Sequence, residues 1–171
     1  MNLFEAIEER RSVRSWAGRE VEEEKLRQVM EAARLAPSAR NLQEWKFVVV
    51  RDAALREQLI EAANGQRFVG EAPVVIVACA VEHDHVMSCG HPSSLVDVAI
   101  ALEHIALAAR ALGLGTCWIG AFDQDKVRGV LGIPDSVQIV ELMPLGYPAS
   151  WPDARGRKAP DDVVCYDGWA D

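Results

Sequence analysis

Apolar positions follow two rhythms along this chain. Where they recur every three or four residues they predict helices: Leu3, Phe4 and Ile7 in "NLFEAIEERRS", then Leu26, Val29, Met30, Ala33 and Leu35 in "VEEEKLRQVMEAARLA". The second stripe opens with acidic residues, where a helix dipole favours them, and Pro37 closes it. Where apolar residues run almost uninterrupted they predict strands buried on both faces: "WKFVVVRD", "APVVIVACAV" and "VQIVELMPLGYPA", with "TCWIGAF" as a further strand. Between them "AALREQLIEAA" and "DQDKVRGVLG" read as helices, the latter starting at an Asp cap. "SLVDVAIALEHIALAARALG" is the longest helix, apolar on more than one face and rich in Ala, which suits a central helix or a subunit interface.

Three stretches fit neither rhythm. "EHDHVMSCGHPSS" reads as a loop. The tail "SWPDARGRKAPDDVVCYDGWAD" carries too much Pro and charge for core, so the chain from about residue 149 to residue 171 is expected to wrap over another part of the assembly. The third is "LAPSARNLQEWKFVVV", which crowds Ser38, Arg40, Asn41, Gln43 and Trp45 between a helix and a buried strand. With no internal repeat and no linker, residues 1–171 read as one domain of the α+β or α/β type.

Half of the 171 residues are apolar, enough for one core without staples. The opening "MNLFEAIEERRSVRSW" carries charge where a signal peptide needs an apolar run, and no later run reaches a bilayer span, so a cytosolic protein without membrane segments is expected. Cys79, Cys89, Cys117 and Cys165 form no CxxC pair and read as free thiols of a reducing compartment. A net charge of -8 argues against a general nucleic-acid surface. Charge placement changes that picture. Arg10, Arg11, Arg14 and Arg19 crowd the N-terminus, while Arg155, Arg157 and Lys158 crowd the tail. Two local basic clusters on an acidic chain suit a small anion rather than a polymer.

Candidate chemistry narrows further by elimination. "GLGTCWIG" lacks GxGxxG spacing and runs from helix to strand, opposite to a dinucleotide-binding turn. Its glycines read as a helix stop at Gly113 or Gly115, with Gly120 leaving backbone open to close approach. The loop "EHDHVMSCGH" offers Glu82, His83, Asp84, His85, Cys89 and His91, but at no metal-binding spacing, and no metal is expected there. No HExxH, GxSxG or GxxxxGK[ST] occurs, and nothing places a partner for Cys117 as a nucleophile. "RRSVRSW" remains: three arginines and a serine within five residues at a helix end can hold a phosphate through forked hydrogen bonds.

Taken in order, "RRSVRSW", "APSARNLQEWKFVVV", the helix before "GLGTCWIGAF", and "LMPLGYPA" followed by "RGRKAP" resemble the nitroreductase family of FMN-dependent oxidoreductases. That resemblance implies an α+β fold, a three-layer sandwich with a central, mainly antiparallel sheet flanked by helices. It implies an intertwined homodimer with two FMN sites at the subunit interface. It also implies NADH or NADPH as electron donor and a small organic acceptor, family-typically a nitroaromatic or quinone, reduced by ping-pong hydride transfer through flavin N5.

By the same resemblance Arg10, Arg11 and Ser12 hold the FMN phosphate and ribityl chain, Arg14 stands beside N1 and the C2 carbonyl, and Arg155 and Arg157 return to the phosphate. Ser38, Asn41 and Gln43 contact the flavin of the other subunit. Trp118, Ile119 and Gly120 present backbone to the ring, with the Gly120 amide a donor to N5. No side chain serves as covalent catalyst, because the cofactor carries the chemistry. The sequence departs from the family pattern at Glu44, where the family usually has proline; Glu44 and His91 are the expected acceptor-pocket residues. The fold also supports dehalogenation, flavin fragmentation and azoline oxidation, and non-catalytic flavin or metal binding stands as a further alternative.

Overall fold

The computed structural model describes residues 1–82 and 84–169. Four strands make one sheet in the order β1-β2-β4-β3: β1 (Trp45–Val50), β2 (Val74–Ala80), β4 (Gln138–Gly146) and β3 (Gly115–Thr116). Every neighbouring pair is antiparallel. The uninterrupted Val and Ile runs are explained by helices on both faces rather than by parallel pairing. On one face α2 (Glu23–Arg34) and α5 (Ser93–Ala111) bury Leu26, Val29, Leu102 and Ile105 against Ile76, Ala78, Met143 and Leu145. On the other, α3 (Ala53–Ala62), α4 (Arg67–Glu71) and α6 (Gln124–Leu131) bury Leu59, Val69 and Val127 against Val75, Val77 and Leu142. The result is the three-layer α+β sandwich expected.

Two elements differ from the sequence reading. The short helix α4 was not expected; five residues are too few to show a helical period. The predicted strand "TCWIGAF" leaves the ladder after Thr116. Opposite Cys117 stands Pro144, whose carbonyl accepts the Cys117 amide at 3.3 Å but which has no N–H to return. Pairing resumes only at Ile119 and Leu142, whose amides and carbonyls exchange bonds of 2.9 and 3.1 Å. Asp123 then turns the chain by donating to the Ala62 carbonyl at 2.8 Å and capping α6 through its carboxylate.

Charged groups fasten two junctions that the site depends on. The buried carboxylate of Asp97, on α5, accepts the Ala39 amide at 3.0 and 3.2 Å and so pins the loop after α2. At the end of β4, Lys25 Nζ donates to the Tyr147 hydroxyl and to the Leu112 carbonyl, each at 2.8 Å, and the Tyr147 hydroxyl donates to Glu22 at 2.6 Å. Tyr147, its own backbone amide and then Arg19 hold the Glu22 carboxyl down at about 2 against an ordinary 4.5.

A depressed carboxyl stabilises the fold above its ordinary value and loses that contribution as pH falls. Tyr147→Phe removes the largest cause. Urea unfolding at a series of pH values is therefore expected to show a shallower loss of stability from pH 4.5 down to about 2 in the variant. An unchanged slope contradicts this role for the cluster. Asp97→Ala is expected to speed hydrogen–deuterium exchange of residues 38–43 by about tenfold or more, the scale of one lost charge-assisted hydrogen bond. Exchange equal to wild type removes Asp97 as the anchor of that loop.

Candidate functional site

The N-terminal arginines are placed by backbone docking. Helix α1 (Leu3–Glu9) starts on an Asn2–Glu5 capping box and ends at Arg10, whose backbone turns extended. The Val13 amide donates to the Thr116 carbonyl at 2.9 Å, and Ser12 bridges to Thr116 in parallel. Val13 is fully buried, so alternation along the extended segment turns Ser12 and Arg14 the opposite way. This approach requires Gly115: a Cβ there would stand 2.5 Å from Val13 Cγ2. Downstream, Trp16 Nε1 donates to the Phe68 carbonyl at 2.7 Å, and Trp16 bridges to Pro148.

The tail returns to the same place. Trp151 stacks on the Arg110 guanidinium, 4.0 Å from ring centre to carbon, and Arg110 is ion-paired to Glu9 on α1. Pro152 to Arg157 then close a cavity of about 410 Å³ with Arg10, Arg11, Ser12 and Arg14. This first stretch of the tail therefore folds onto its own chain. Beyond it Val163, Val164, Tyr166 and Trp169 are exposed.

Most arginines outside the cavity are matched by a carboxylate; the exceptions among the described residues are Arg40 and Arg56, the latter donating to the Gly70 carbonyl at 2.8 Å. Arg19, Arg27, Arg34, Arg51, Arg67, Arg110 and Arg128 each form an ion pair with a carboxylate. Among the described residues none of Arg10, Arg11, Arg14, Arg155 and Arg157 does. Arg11 donates to the carbonyls of Glu8 at 2.7 Å and Arg10 at 3.0 Å, and Arg157 to those of Arg155 and Gly156 at 3.2 and 3.3 Å. Arg14 reaches the Ser12 carbonyl at 3.4 Å and lies 5.7 Å from the Phe68 ring centre. Five guanidinium groups held without carboxylate partners, with a hydroxyl among them, suit a phosphate monoester dianion. The donor set fits the phosphate end of FMN.

The polar loop after α2 is a tight turn with left-handed backbone at Arg40, Asn41 and Gln43, φ 51°, 58° and 55°. Ser38 Oγ accepts the Gln43 amide at 3.0 Å and Gln43 Nε2 donates to the Asn41 carbonyl at 3.1 Å, which offsets some of that strain. Asn41 and Gln43 are exposed, and none of these three residues lines the arginine cavity of the same chain. Glu44 and His91 do not line it either. The Glu44 carbonyl accepts the Val81 amide at 3.1 Å, and its carboxylate has one oxygen buried without a partner. His91 is exposed.

In the segment after β3 the Ile119 side chain is in the core, so only its backbone is available, whereas Trp118 is half-buried and Gly120 exposed. The Ile119 amide is taken by Leu142; the Gly120 amide makes no hydrogen bond among the described residues. Cys117 is buried, and burial pushes its thiol up against the smaller opposing pull of Arg14, which makes it a poor nucleophile. His83 lies outside the described residues, and among the described residues no group of three His, Cys, Asp or Glu side chains could hold a metal. One residue escaped the sequence reading. Glu141 projects from β4 beside Gly120, its carboxyl pushed up by burial. A lone acid within the apolar run "VQIVELMPLG" was the available signal.

Comparison with known proteins agrees with this geometry. The nitroreductase family model matches residues 7–66 and 60–147. An NADH dehydrogenase of Thermus thermophilus is 38% identical, the match covering 82% of this chain and 83% of that protein. An FMN reductase [NAD(P)H] of Bacillus subtilis is 32% identical, covering 95% of this chain and 72% of that protein. The crystal structure of a nitroreductase family protein from Clostridium novyi NT superposes with a TM-score of 0.82 at 34% identity, over 90% of this chain and 89% of that one. An α+β sandwich of this topology, an arginine cavity at its sheet edge and family matches running through nearly the whole chain lead to one assignment: the chain belongs to the nitroreductase family of oxidoreductases.

Proposed function

We propose that the protein is an FMN-dependent NAD(P)H oxidoreductase, a single-domain chain working as a cytosolic homodimer. The observation that carries the reading is the cavity whose five arginines have no carboxylate ion pair among the described residues, in an otherwise acidic chain most of whose other arginines are ion-paired. Arg10, Arg11, Ser12, Arg155 and Arg157 would hold the phosphate and ribityl chain of FMN, and Arg14 the N1 and C2 edge of its ring. When bound, FMN supplies two-electron hydride chemistry between NADH or NADPH and a small acceptor, of which nitroaromatics and quinones are the expected class. The relatives named as an FMN reductase [NAD(P)H] and an NADH dehydrogenase support the donor and the flavin.

The chain's own residues do the rest. Arg14 fixes a positive charge where reduction puts negative charge, and a fixed cation in a low-dielectric site stabilises that state. The unclaimed Gly120 amide is the donor to the ring edge. Ser38, Asn41 and Gln43 reach the flavin of a second copy, which accounts for a strained polar turn that does not line the arginine cavity of its own chain. The dimer is further supported by the exposed apolar side chains of α1 (Leu3, Phe4 and Ile7) and of the tail (Val163, Tyr166 and Trp169). Glu44 and His91 are proposed to border the acceptor.

Arg10→Ala is the direct test. Titration of apoprotein with FMN, read by flavin fluorescence, is expected to show affinity reduced by about tenfold to a hundredfold, the scale of a lost charge-assisted phosphate contact, with the melting temperature of the apoprotein unchanged. Affinity equal to wild type removes the phosphate assignment.

A further inference from the structure

Ile119 and Leu142 form an antiparallel bridge, so the next opposed pair is Gly120 and Glu141. Opposed residues share a face of the sheet. On the other side of Glu141 stands Ala78, with Phe47 beyond it. The row thus reads Phe47, Ala78, Glu141, Gly120, a carboxylate between the two smallest kinds of side chain. A Cβ at Gly120 would lie 3.5 and 3.7 Å from the Glu141 oxygens. With glycine there, nothing on Gly120 covers the carboxylate.

An acid in this position has a cost that packing does not explain. Glu141 is half-buried in the sheet, and its carboxylate makes no hydrogen bond or ion pair among the described residues. Its neighbours on the strand, Leu142 and Met143, are fully buried. A hydrophobic residue would fill the row without desolvating a charge. The charged groups around it are few. Arg10 and Arg14 on the N-terminal segment are close enough to bear on Cys117, as Glu141 itself does. From β2 the facing residue is Ala78. Helix α5, on the same face, contributes Asp97, which is taken by the Ala39 amide, and Glu103, whose carboxyl burial pushes up against the smaller pull of Arg10 and His104. None of them is bonded to Glu141.

Resting on the flavin reading above, we propose that Glu141 controls the electron affinity of the cofactor at the Gly120 edge: with its proton it leaves that edge neutral, and ionised it opposes the negative charge that reduction brings. Arg14 and Glu141 then act in opposite senses on one ring system, a fixed cation and a switchable anion. Burial favours the protonated form, so the opposing charge is absent until the pH rises beyond the ordinary carboxyl range. Glu141 acts through charge and not by contact with substrate, which makes it a positioning residue.

Sulfite tests this without turnover. Its sulfur lone pair adds to N5 of oxidised flavin: an S–N bond forms, the ring takes up the electron pair with negative charge, and the flavin absorbance bleaches. No other oxidant or reductant is used. FMN-loaded wild type, Glu141→Gln and Glu141→Ala are titrated with sulfite at about pH 5 and about pH 8, spanning the carboxyl range and above. Ratios between proteins cancel the protonation of sulfite itself. Equal affinity is expected near the lower pH, and near the higher pH both variants are expected to bind sulfite about fivefold to tenfold more tightly than wild type. Agreement between Gln and Ala assigns the effect to charge rather than shape, and either variant alone suffices if the other does not fold. A ratio that stays flat with pH while all proteins retain FMN overturns the role of Glu141. Wild type that takes up no FMN at all overturns the flavin reading, and this inference with it.

Discussion

The close approach of Val13 to Gly115 is the contact on which the candidate site rests. Only a residue without a side chain lets the N-terminal segment lie against β3 and bond to Thr116. That docking fixes the direction of the extended segment, and alternation along it sends Ser12 and Arg14 away from the core side that Val13 occupies. The tail reaches the same corner independently, through Trp151 on Arg110. The N-terminal segment and the C-terminal tail are thus brought together by one glycine and one stacked tryptophan.

Electrostatics explains why that corner is a site and not only a junction. Exposed ion pairs contribute little to stability, so matched arginines on the helices are ordinary surface chemistry. Five guanidinium groups line one cavity with only Glu8 and Asp153 beside them, neither ion-paired to them among the described residues, so an excess of positive charge stays there until an anion arrives. The fold tolerates this excess at one place and is otherwise acidic. Glu141 is the complementary case, an acid held without a cation where the sheet edge opens at Gly120.

Much of this was legible in the sequence. The helical stripe of α2, the Asp-capped helix α6 and the apolar runs of β1, β2 and β4 are where the sequence predicted them. The two basic clusters were recognisable because they contrast with an acidic background; the structure brings Arg10, Arg11, Arg14, Arg155 and Arg157 to one cavity, while Arg19 pairs with Glu22 and Lys158 does not line it. Strand order was not legible, because a strand covered on both faces reads the same whether its neighbours are parallel or antiparallel. The early end of β3 was hidden in Pro144, a residue of another strand that lacks the N–H to continue the ladder. Glu141 was passed over for a similar reason: its meaning comes from standing across from Gly120, and cross-strand register is not written in either segment alone.

Binding of a flavin and passage of electrons through it stand at the centre of the proposed function. The most direct measurement is the absorbance of the FMN-reconstituted protein under anaerobic conditions, on adding NADH or NADPH and then a quinone. One of the two nucleotides is expected to bleach the flavin band in stoichiometric amount, and the quinone to restore it. Flavin that stays oxidised in the presence of both nucleotides would contradict this function.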